Sequence, residues 1–452
     1  MEWEPPEATR TSRRIGTDLL TPPGVTQPGS SWGVRAIPPP RAGAWGRRPE
    51  LLETSEEPMG PGVANSVASP RTADLVIIGG GIAGAAAAFY AARAGFRTVV
   101  VERKPWLGAL TTAAAVACFR AQWDDPDFAY LMVPSIATYE RFAEEIGIPD
   151  YDIGLRQQGW LFATTDPQGL DRFQRWIEGQ RRLGITDTEL WTGDEARRRF
   201  PWLSPDVTAA TFRARDGWLS PHEVVYGYAR ASGATFLLET EAFRIHTAGG
   251  RVIGVETSRG FLAAPRVVIA AGPFSRHLTA TAGVDLPLFL LRRQRAFVAD
   301  PAIPSDAPMV ADDDTGVYWR PEAGGAFLGW GLPEPPGEPQ DPVPADPLFP
   351  ARALEGAARL TPFFREVAAR LTRDRVSVAA GQYTCTPDGK PLIGGCPPVD
   401  GLYVLAGDNG YGIESAPQAA RHLIAVMTGQ LPEAENPFRV HRTFRPTGKK
   451  VL

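Results

Sequence analysis

The stretch "ADLVIIGGGIAGAAAAFYAARAGFRTVVVERK", Ala73 to Lys104, decides the fold of this 452-residue chain. An apolar run over 74–78 predicts a buried strand, and the small residues of 82–94 predict a helix that packs closely on it. A β-branched run over 98–102 predicts a second strand. A strand, a glycine-rich turn, a helix and another strand in this order predict a Rossmann-type α/β domain with a parallel sheet.

The turn between the first strand and the helix has the spacing G-x-G-x-x-G at Gly79, Gly81 and Gly84. The first glycine permits the tight turn, the second lets the backbone approach a pyrophosphate, and the third lets the helix pack on the strand. Glu102 ends the second strand, where an acid can accept a hydrogen bond from a ribose hydroxyl. Together these features predict a dinucleotide site.

A second glycine turn, "GDNGYGIESAP" from Gly407 to Pro417, follows an apolar strand near the carboxyl end and opens another helix. The chain contains a single G-x-G-x-x-G fingerprint in a strand-turn-helix context, whereas a flavoprotein with its own NADPH domain normally contains two. A large cofactor that contacts both ends of the chain fits FAD better than NAD. The pattern therefore favours FAD.

Composition argues against several other classes. A formal charge of −4 gives no reason to expect nucleic acid as a partner. Three cysteines without a CxxC pair argue against a disulfide framework or a structural metal site. No apolar run reaches the roughly 20 residues that a transmembrane helix needs. These features predict a cytoplasmic protein with no transmembrane segment and no bound metal.

Residues 1–70 are rich in Pro, Gly, Ser and Arg and lack apolar periodicity, which predicts a disordered extension. The alternation of strand and helix patterns divides the remainder into two domains and a tail. The predicted FAD-binding domain comprises 71–155, 205–285 and 376–435. The predicted substrate domain comprises 156–204 and 286–375, and the C-terminal tail comprises 436–452.

Five stretches resemble their counterparts in a known family: "VIIGGGIAGAAAAFYAARAG", "TTAAAVACFRAQW", "RVVIAAGPFSRHL", "YTCTPDGKPLIGG" and "GLYVLAGDNGYGI". The family is that of the FAD-dependent amine and amino-acid oxidoreductases, which include sarcosine oxidase, dimethylglycine oxidase, glycine oxidase and D-arginine dehydrogenase. The likeness runs from Ala73 to Phe444. It implies a glutathione-reductase-like FAD-binding domain beside a substrate domain built on a mixed sheet.

The resemblance also implies which residues contact FAD. Thr111 and Thr112 are expected near the pyrophosphate, and the glycines of the second turn are expected to leave room for the flavin. The cysteine that bonds covalently to flavin in sarcosine oxidase corresponds to Gly381, so noncovalent FAD is implied. The expected cofactor contacts are Gly79, Gly81, Ile82, Ala83, Gly84, Glu102, Arg103, Thr111, Thr112, Ala242, Ala271, Gly272, Asp388, Gly407, Gly410, Tyr411, Gly412 and Ile413.

The resemblance places Arg120 on the flavin face, where it can pair with the ring or with a substrate carboxylate. The alternative is a surface arginine that packs on Trp123. Several aromatic residues are candidates for a wall around an ammonium group, with an ordinary core role as the alternative. They are Tyr318, Trp319, Trp330 and Tyr411.

Glu414 falls where sarcosine oxidase has a lysine that holds the substrate carboxylate, so the charge is reversed here. A carboxylate beside the flavin suits a cationic or amine-bearing substrate. The alternative is an acid in the first turn of a helix that favours the helix dipole and faces solvent. Both readings of Glu414 stay open.

The resemblance implies an FAD-dependent amine oxidase or dehydrogenase, in which hydride passes from the carbon beside nitrogen to flavin N5 and water hydrolyses the imine. The expected partners are a small-molecule amine and oxygen or another electron acceptor. The interval from Pro105 to Gly389 lacks lysine, so the candidates for positive charge beside the flavin are Arg292, Arg293 and Arg295. Enzymes that resemble sarcosine oxidase have a lysine over the flavin, and its positive charge favours the reaction of reduced flavin with oxygen. A guanidinium is a less compact charge than an ammonium, so arginine in place of lysine favours an electron acceptor other than oxygen.

Two other classes of function stay open at this point. The first is a flavoenzyme that oxidises a specialised metabolite at a C–N or C–C bond. The second is a non-catalytic protein in which FAD stabilises an assembly or a binding surface, because a fold does not fix a function.

Overall fold

The strands and helices are those of a computed structural model that describes residues 71–445. The strands are β1 (Leu75–Ile78), β2 (Thr98–Val101), β3 (Cys118–Phe119), β4 (Trp160–Thr164), β5 (Glu189–Thr192), β6 (Ala209–Arg213), β7 (Gly217–Trp218), β8 (Thr235–Leu237), β9 (Ala242–Ala248), β10 (Arg251–Thr257), β11 (Gly260–Ala263), β12 (Val267–Ile269), β13 (Phe289–Ala299), β14 (Met309–Asp312), β15 (Val317–Glu322), β16 (Gly325–Trp330), β17 (Val376–Cys385), β18 (Leu392–Cys396) and β19 (Val399–Ala406). The helices are α1 (Ile82–Arg93), α2 (Thr111–Ala114), α3 (Pro126–Tyr139), α4 (Phe142–Ile146), α5 (Gly169–Arg182), α6 (Gly193–Arg199), α7 (Pro221–Ser232), α8 (Ser275–Ala280), α9 (Phe349–Ala357), α10 (Phe363–Arg370) and α11 (Gly412–Met427).

Residues 71–445 lie within one compact unit. The disordered extension predicted for residues 1–70 lies outside the described residues, as do the last residues of the predicted C-terminal tail.

A nine-stranded sheet contains β1, which precedes the first glycine turn, and β2, which follows α1. Strands β8, β2, β1, β12 and β19 lie side by side and parallel. All four residues of β1 and of β2 are buried, as their continuous apolar runs predict for a sheet covered on both faces. Because the strands are parallel, the turns that follow β1 and β19 meet at one edge of the sheet. The prediction of a Rossmann-type parallel sheet is confirmed.

An eight-stranded sheet forms the second half of the unit, with the order β17–β13–β16–β15–β14–β4–β6–β5. Its neighbours are antiparallel except for β4 and β14, which pair in parallel. This is the mixed sheet expected for the substrate side. Helix α9 packs on β13, β15 and β16 and buries Phe349 and Leu354 against this sheet.

The boundaries between the two sheets differ from the predicted domain boundaries at two places. Strand β6 pairs with β4, and β17 pairs with β13 along its whole length, so both belong to the second sheet. The prediction assigned 205–285 and 376–435 entirely to the FAD-binding domain. Sequence pattern does not indicate these pairings, because an apolar strand has the same pattern whichever sheet it joins.

Helix α1 packs against both α7 and α11 beside the parallel sheet. Its alanines, Ala85 to Ala88, are completely buried, which lets neighbouring elements approach closely. Within residues 71–445 no helix combines the length and the apolar character that crossing a bilayer requires.

Candidate functional site

The candidate site is a cavity of about 450 Å³ at the edge of the parallel sheet where the two glycine turns meet. One side is formed by the ends of β1, β2 and β19 and the turns that follow them. The opposite side is formed by the second sheet, through Arg293 of β13, Tyr318 of β15 and Gly381 of β17. The cavity therefore joins the predicted dinucleotide site to the predicted substrate side.

The first glycine turn has the geometry that its spacing predicts. Gly79 has a φ of +112°, and a Cβ there would lie 2.3 Å from the carbonyl oxygen of Ala270. A Cβ at Gly84 would lie 1.9 Å from the carbonyl oxygen of Gly79, so the helix can pack on the turn only because residue 84 is glycine. Among the described residues, a Cβ at Gly81 would meet only Thr112 Oγ1, at 3.3 Å. The space in front of Gly81 thus belongs to the cavity rather than to the protein.

Glu102 is held in place by the backbone at the end of β2. Its Oε2 accepts a hydrogen bond from the Gly80 N–H at 2.7 Å, and its Oε1 accepts one from the Lys104 N–H at 2.8 Å. A carboxylate has about four acceptor positions, so Glu102 retains capacity for hydroxyl donors in the cavity it lines. Thr112 Oγ1 accepts from the Ile82 N–H at 3.2 Å and caps the start of α1.

Most of the expected cofactor contacts line this cavity. They are Gly79, Gly81, Ile82, Ala83, Glu102, Arg103, Thr111, Thr112, Ala242, Ala271, Gly272, Gly407, Gly410, Tyr411, Gly412 and Ile413. Gly84 does not line it, because this glycine serves the packing of α1 on the turn.

Asp388 lies outside the cavity lining. Its carboxylate forms a buried ion pair with Arg442, with 2.7 Å between Asp388 Oδ2 and Arg442 Nε, and accepts from the Lys390 N–H. This pair ties the carboxyl-terminal segment to the turn before β18. The position does not fit the expected cofactor contact, because the family motif marks a turn without revealing what that turn packs against.

The glycines of the second turn make room for side chains of the protein itself. A Cβ at Gly410 would lie 2.2 Å from the ring of Tyr383, and one at Gly407 would lie 2.7 Å from the side chain of Thr386. A Cβ at Gly412 would lie 1.8 Å from Asp408 Oδ2. The expectation that these glycines leave room for a flavin is therefore incomplete. Although they line the cavity, the space beside them is filled by protein side chains.

Glu414 lies in the first turn of α11 and lines the cavity, with 5% of its surface exposed. Burial raises the pKa of Glu414 to about 8, against the lowering effects of the Arg120 charge and of N–H groups of Arg120 and Trp123. Within the described part of the chain, Glu414 Oε2 has no hydrogen-bond partner. The alternative of an acid that faces solvent is wrong.

Arg120 is also buried, with 6% of its surface exposed, and it lines the same cavity. Its guanidinium carbon lies 4.0 Å from the ring centroid of Trp123, 4.9 Å from that of Phe162 and 5.3 Å from that of Trp160. Arg120 does pack on Trp123, as one reading expected, but it is not a surface residue. Among the described residues its Nε has no hydrogen-bond partner.

The aromatic candidates separate into two groups. Tyr318 and Tyr411 line the cavity, and burial raises the pKa of Tyr318 to about 12. Trp319 and Trp330 instead pack in the core of the second sheet, which is the core role left open above. Alternation along β15 explains why Tyr318 and Trp319 differ, because neighbouring residues of a strand point to opposite faces.

Several residues of the cavity lining were not predicted from the sequence. Asp408 lies in the second glycine turn, and burial raises its pKa to about 6. Tyr383 lines the cavity from β17, and Cys118 lines it from β3. Asp408 lies two residues before Gly410 in the second glycine turn, so its place in that motif could have identified it as a lining residue. The strand residues gave none, because their partner strands are distant in sequence.

The basic residues of β13 have different positions. Arg293 and Arg295 line the cavity, whereas Arg292 is paired with Glu334, with 2.9 Å between Nε and Oε2. No lysine lies in the cavity lining of the described chain. Lys390 is instead paired with Asp127.

The position that corresponds to the covalent cysteine of sarcosine oxidase is filled by glycine at the cavity wall. A Cβ at Gly381 would lie 3.0 Å from Ala114 Cβ. Cys385 is buried outside the lining, and burial raises its pKa to about 12. Its thiol is therefore neither placed nor ionised for attack on a group in the cavity.

Comparison with protein families matches residues 74–426 to the family described as "DAO: FAD dependent oxidoreductase". Dimethylglycine dehydrogenase of Rattus norvegicus mitochondria is 26% identical over 417 residues, covering 85% of this chain and 47% of that protein. Glycine oxidase of Geobacillus kaustophilus is 29% identical over 360 residues, covering 76% of this chain and 90% of that protein. The chain spans about half the length, or somewhat less, of the dimethylglycine dehydrogenases it matches.

Solved structures with the same fold include two amino-acid oxidoreductases. The L-proline dehydrogenase of P. horikoshii superposes with a TM-score of 0.72 at 25% identity, covering 82% of this chain and 98% of that chain. The glycine oxidase of Geobacillus kaustophilus superposes with a TM-score of 0.71 at 26% identity, covering 82% of this chain and 99% of that chain.

Proposed function

The chain belongs to the FAD-dependent oxidoreductase family, and we propose that it oxidises the C–N bond of a small amine or amino acid to an imine. The observation that supports this activity is the pair formed by Glu414 and Arg120. Both are buried, both line the cavity, and each has a polar atom without a partner in the described chain. Relatives named for the oxidation of glycine, sarcosine and dimethylglycine support the same class of substrate.

The residues of the cavity fit FAD. The open space at Gly81 suits the approach of a diphosphate, the start of α1 suits its negative charge, and Glu102 suits a ribose hydroxyl. When bound, FAD accepts the hydride from the carbon beside the substrate nitrogen. Gly381 and the distant Cys385 favour noncovalent binding.

Arg120 and Glu414 bind and orient the substrate in this proposal. The Arg120 guanidinium attracts a carboxylate, and the Glu414 carboxyl receives the amine nitrogen through a charge-assisted hydrogen bond. Tyr318 and Tyr411 cover the cavity wall and exclude water from the reacting carbon. Orientation and exclusion of water are what the protein contributes to a reaction whose redox chemistry belongs to the cofactor.

An anaerobic amine panel tests this function. The purified FAD-loaded protein is mixed with glycine, sarcosine, dimethylglycine, L-proline or 4-methylaminobutanoate, and the flavin absorbance is followed. We expect at least one of these amines to bleach the flavin, and Arg120→Met to weaken the apparent affinity for that amine. A flavin that stays oxidised with every amine, in protein that dithionite reduces normally, would contradict the proposal.

We also propose that the natural electron acceptor is not oxygen. The arginines of the cavity lining are Arg103, Arg120, Arg293 and Arg295, and a guanidinium charge is broader and less concentrated than that of an ammonium. The same reduced protein, mixed with air-saturated buffer or with a quinone, measures this directly. Reoxidation by air that keeps pace with turnover would identify an oxidase instead.

A further inference from the structure

The backbone on both sides of Glu414 is held by hydrogen bonds, although one oxygen of the Glu414 carboxyl has no hydrogen-bond partner in the described chain. The Tyr139 hydroxyl donates to the carbonyl oxygen of Ile413, and the Ser135 hydroxyl donates to that of Ser415 at 3.2 Å. Both donors belong to α3, so this helix fixes the backbone on each side of Glu414. Burying a carboxyl with an unpartnered oxygen costs free energy, and such groups occur mainly where function requires them.

The groups that face Glu414 act on it in opposite directions. Burial and the Asp216 carboxylate favour the neutral carboxyl, whereas the Arg120 charge favours the ionised one. The other titratable groups that face it are Cys118 of β3 and Tyr139 of α3, both with a pKa that burial raises far above neutrality. Asp408, in the turn before α11, also lines the cavity. Glu414 is thus balanced between its two protonation states near neutral pH.

Glu241 and His277 also line the cavity, but both are exposed to solvent and so differ from the buried Glu414. The remaining titratable groups of the lining are poor proton acceptors. Both Glu102 oxygens already accept backbone N–H groups, and it lies at the nucleotide side, beside α1. The arginines are permanently protonated. Asp408, whose pKa burial raises to about 6, accepts from the N–H of Gly410 within its own turn. Glu414 is the acid of the lining that combines an unpartnered oxygen with near-complete burial in the described chain.

We propose that Glu414 is the base that removes a proton from the substrate ammonium before the C–H bond beside it is broken. This inference rests on the proposed function and adds a catalytic residue to it. An N–H bond of the ammonium breaks, its electron pair stays on nitrogen, and an O–H bond forms on Glu414 Oε2. The amine is then neutral, and its C–N bond is oxidised to the imine as in the proposed function.

Protonation states support this order. A cation that enters beside Glu414 favours its ionised form and leaves a carboxylate beside an ammonium. Moving one proton within that pair gives a neutral acid beside a neutral amine, and a buried site favours the neutral pair. Nitrogen then has a free electron pair, which stabilises the positive charge that develops on the adjacent carbon as hydride leaves.

The test is the pH dependence of flavin reduction in Glu414→Gln. The variant keeps the shape of the side chain but cannot accept the proton, so it must bind amine that is already neutral. With the most active amine of the panel, we expect the anaerobic reduction rate at pH 7 to fall about 100-fold. The deficit should shrink as the pH approaches the pKa of the substrate ammonium, about 10 for a simple amine.

Glu433→Gln is the matched control, because Glu433 is a half-buried acid with a raised pKa that lies outside the cavity lining. Its reduction rate should equal that of wild type at every pH. If Glu414→Gln fails to retain FAD, Glu414→Met takes its place, since its side chain has a similar size and likewise cannot accept a proton. A deficit independent of pH in the variant used, or no deficit, would overturn the role of Glu414 as base.

The two proposals fail in different ways. If no amine reduces the wild-type flavin, the proposed function fails and the role of Glu414 fails with it. If the wild-type flavin is reduced and Glu414→Gln is reduced at the same rate, only the role of Glu414 as base is wrong.

Discussion

Two helix starts face the same cavity, and they carry opposite chemistry. Helix α1 follows β1 through the turn at Gly79, and α11 follows β19 through the turn at Gly407. Both helices begin at the same edge of one parallel sheet, and the first residues of both line the cavity. The first N–H groups of any helix have no partner within the helix itself. The first turn of α1 is Ile82–Gly84, which is uncharged, whereas the first turn of α11 contains Glu414.

The difference shows that one local fold serves two kinds of ligand group. At α1 the positive end of the helix dipole acts alone and suits an anion such as a diphosphate. At α11 a buried carboxyl lies in the same position relative to the dipole, so an anion is disfavoured and an amine is favoured. The glycines differ in the same way. Gly81 leaves space for a ligand, while Gly410 makes room for Tyr383.

The largest expected effect comes from filling the space in front of α1. Gly81→Val places a branched side chain where the diphosphate of FAD is expected, so purified protein should be colourless. Because a Cβ at Gly81 meets only Thr112 Oγ1 within the described chain, the apoprotein should still fold. Absorbance at the flavin band and a cooperative thermal transition measure both outcomes. Full FAD occupancy in this variant would contradict the assignment of the first glycine turn.

A smaller effect, on the free energy of unfolding, is expected from replacing Glu414 at the start of α11. The pKa of Glu414 is about 8 in the folded protein, above the ordinary 4.5, so the folded state binds a proton that the unfolded state has lost over this interval. The free energy of unfolding therefore falls as pH rises from about 4.5 to 8, and Glu414→Gln removes this loss. At pH 7 the variant should be more stable by on the order of 3 kcal/mol.

Thermal or urea unfolding of the FAD-loaded protein at pH 5 and pH 8 measures the change. The advantage of Glu414→Gln should grow with pH. Glu435→Gln removes an exposed acid and should show no such growth. An advantage that is equal at both pH values would show that the Glu414 carboxyl is not held neutral.

The smallest expected effect comes from giving α1 the charge that α11 carries. Ala83→Glu adds a carboxylate to the first turn of α1, where it opposes the diphosphate and offsets the helix dipole. The dissociation constant of FAD should rise about tenfold, equivalent to about 1.4 kcal/mol. Titration of the apoprotein by flavin fluorescence measures it, with Ala83→Gln as the neutral control of equal size. Equal affinities for the two variants would remove the electrostatic distinction between the helix starts.

The first glycine turn shows how much a local pattern can predict. Strand, turn, helix and terminal acid lie within 74–102, and their roles follow from backbone geometry over a few residues. The tight turn at Gly79 and the packing contact at Gly84 were both predicted correctly. The family resemblance extended this prediction to most of the expected cofactor contacts and to Arg120 and Glu414, all of which line the cavity.

Contacts between distant parts of the chain had no signal in the local sequence. Strands β6 and β17 joined the second sheet, and Asp388 proved to be paired with Arg442. Tyr383 and Cys118 entered the cavity without any signal in their own neighbourhood. In each case the partner is far away in sequence, and apolar or polar character alone does not specify which distant element a residue meets.

Sequence by itself determined the order of the elements, the glycine turns and the presence of an acid at residue 414, because these depend on local backbone preferences and residue type. Only the tertiary structure decided the protonation state of that acid. Helix α3 and the segment that carries Arg120 enclose Glu414 and remove it from water. Loss of hydration penalises the charged carboxylate, and this cost exists only once distant parts of the chain have packed together.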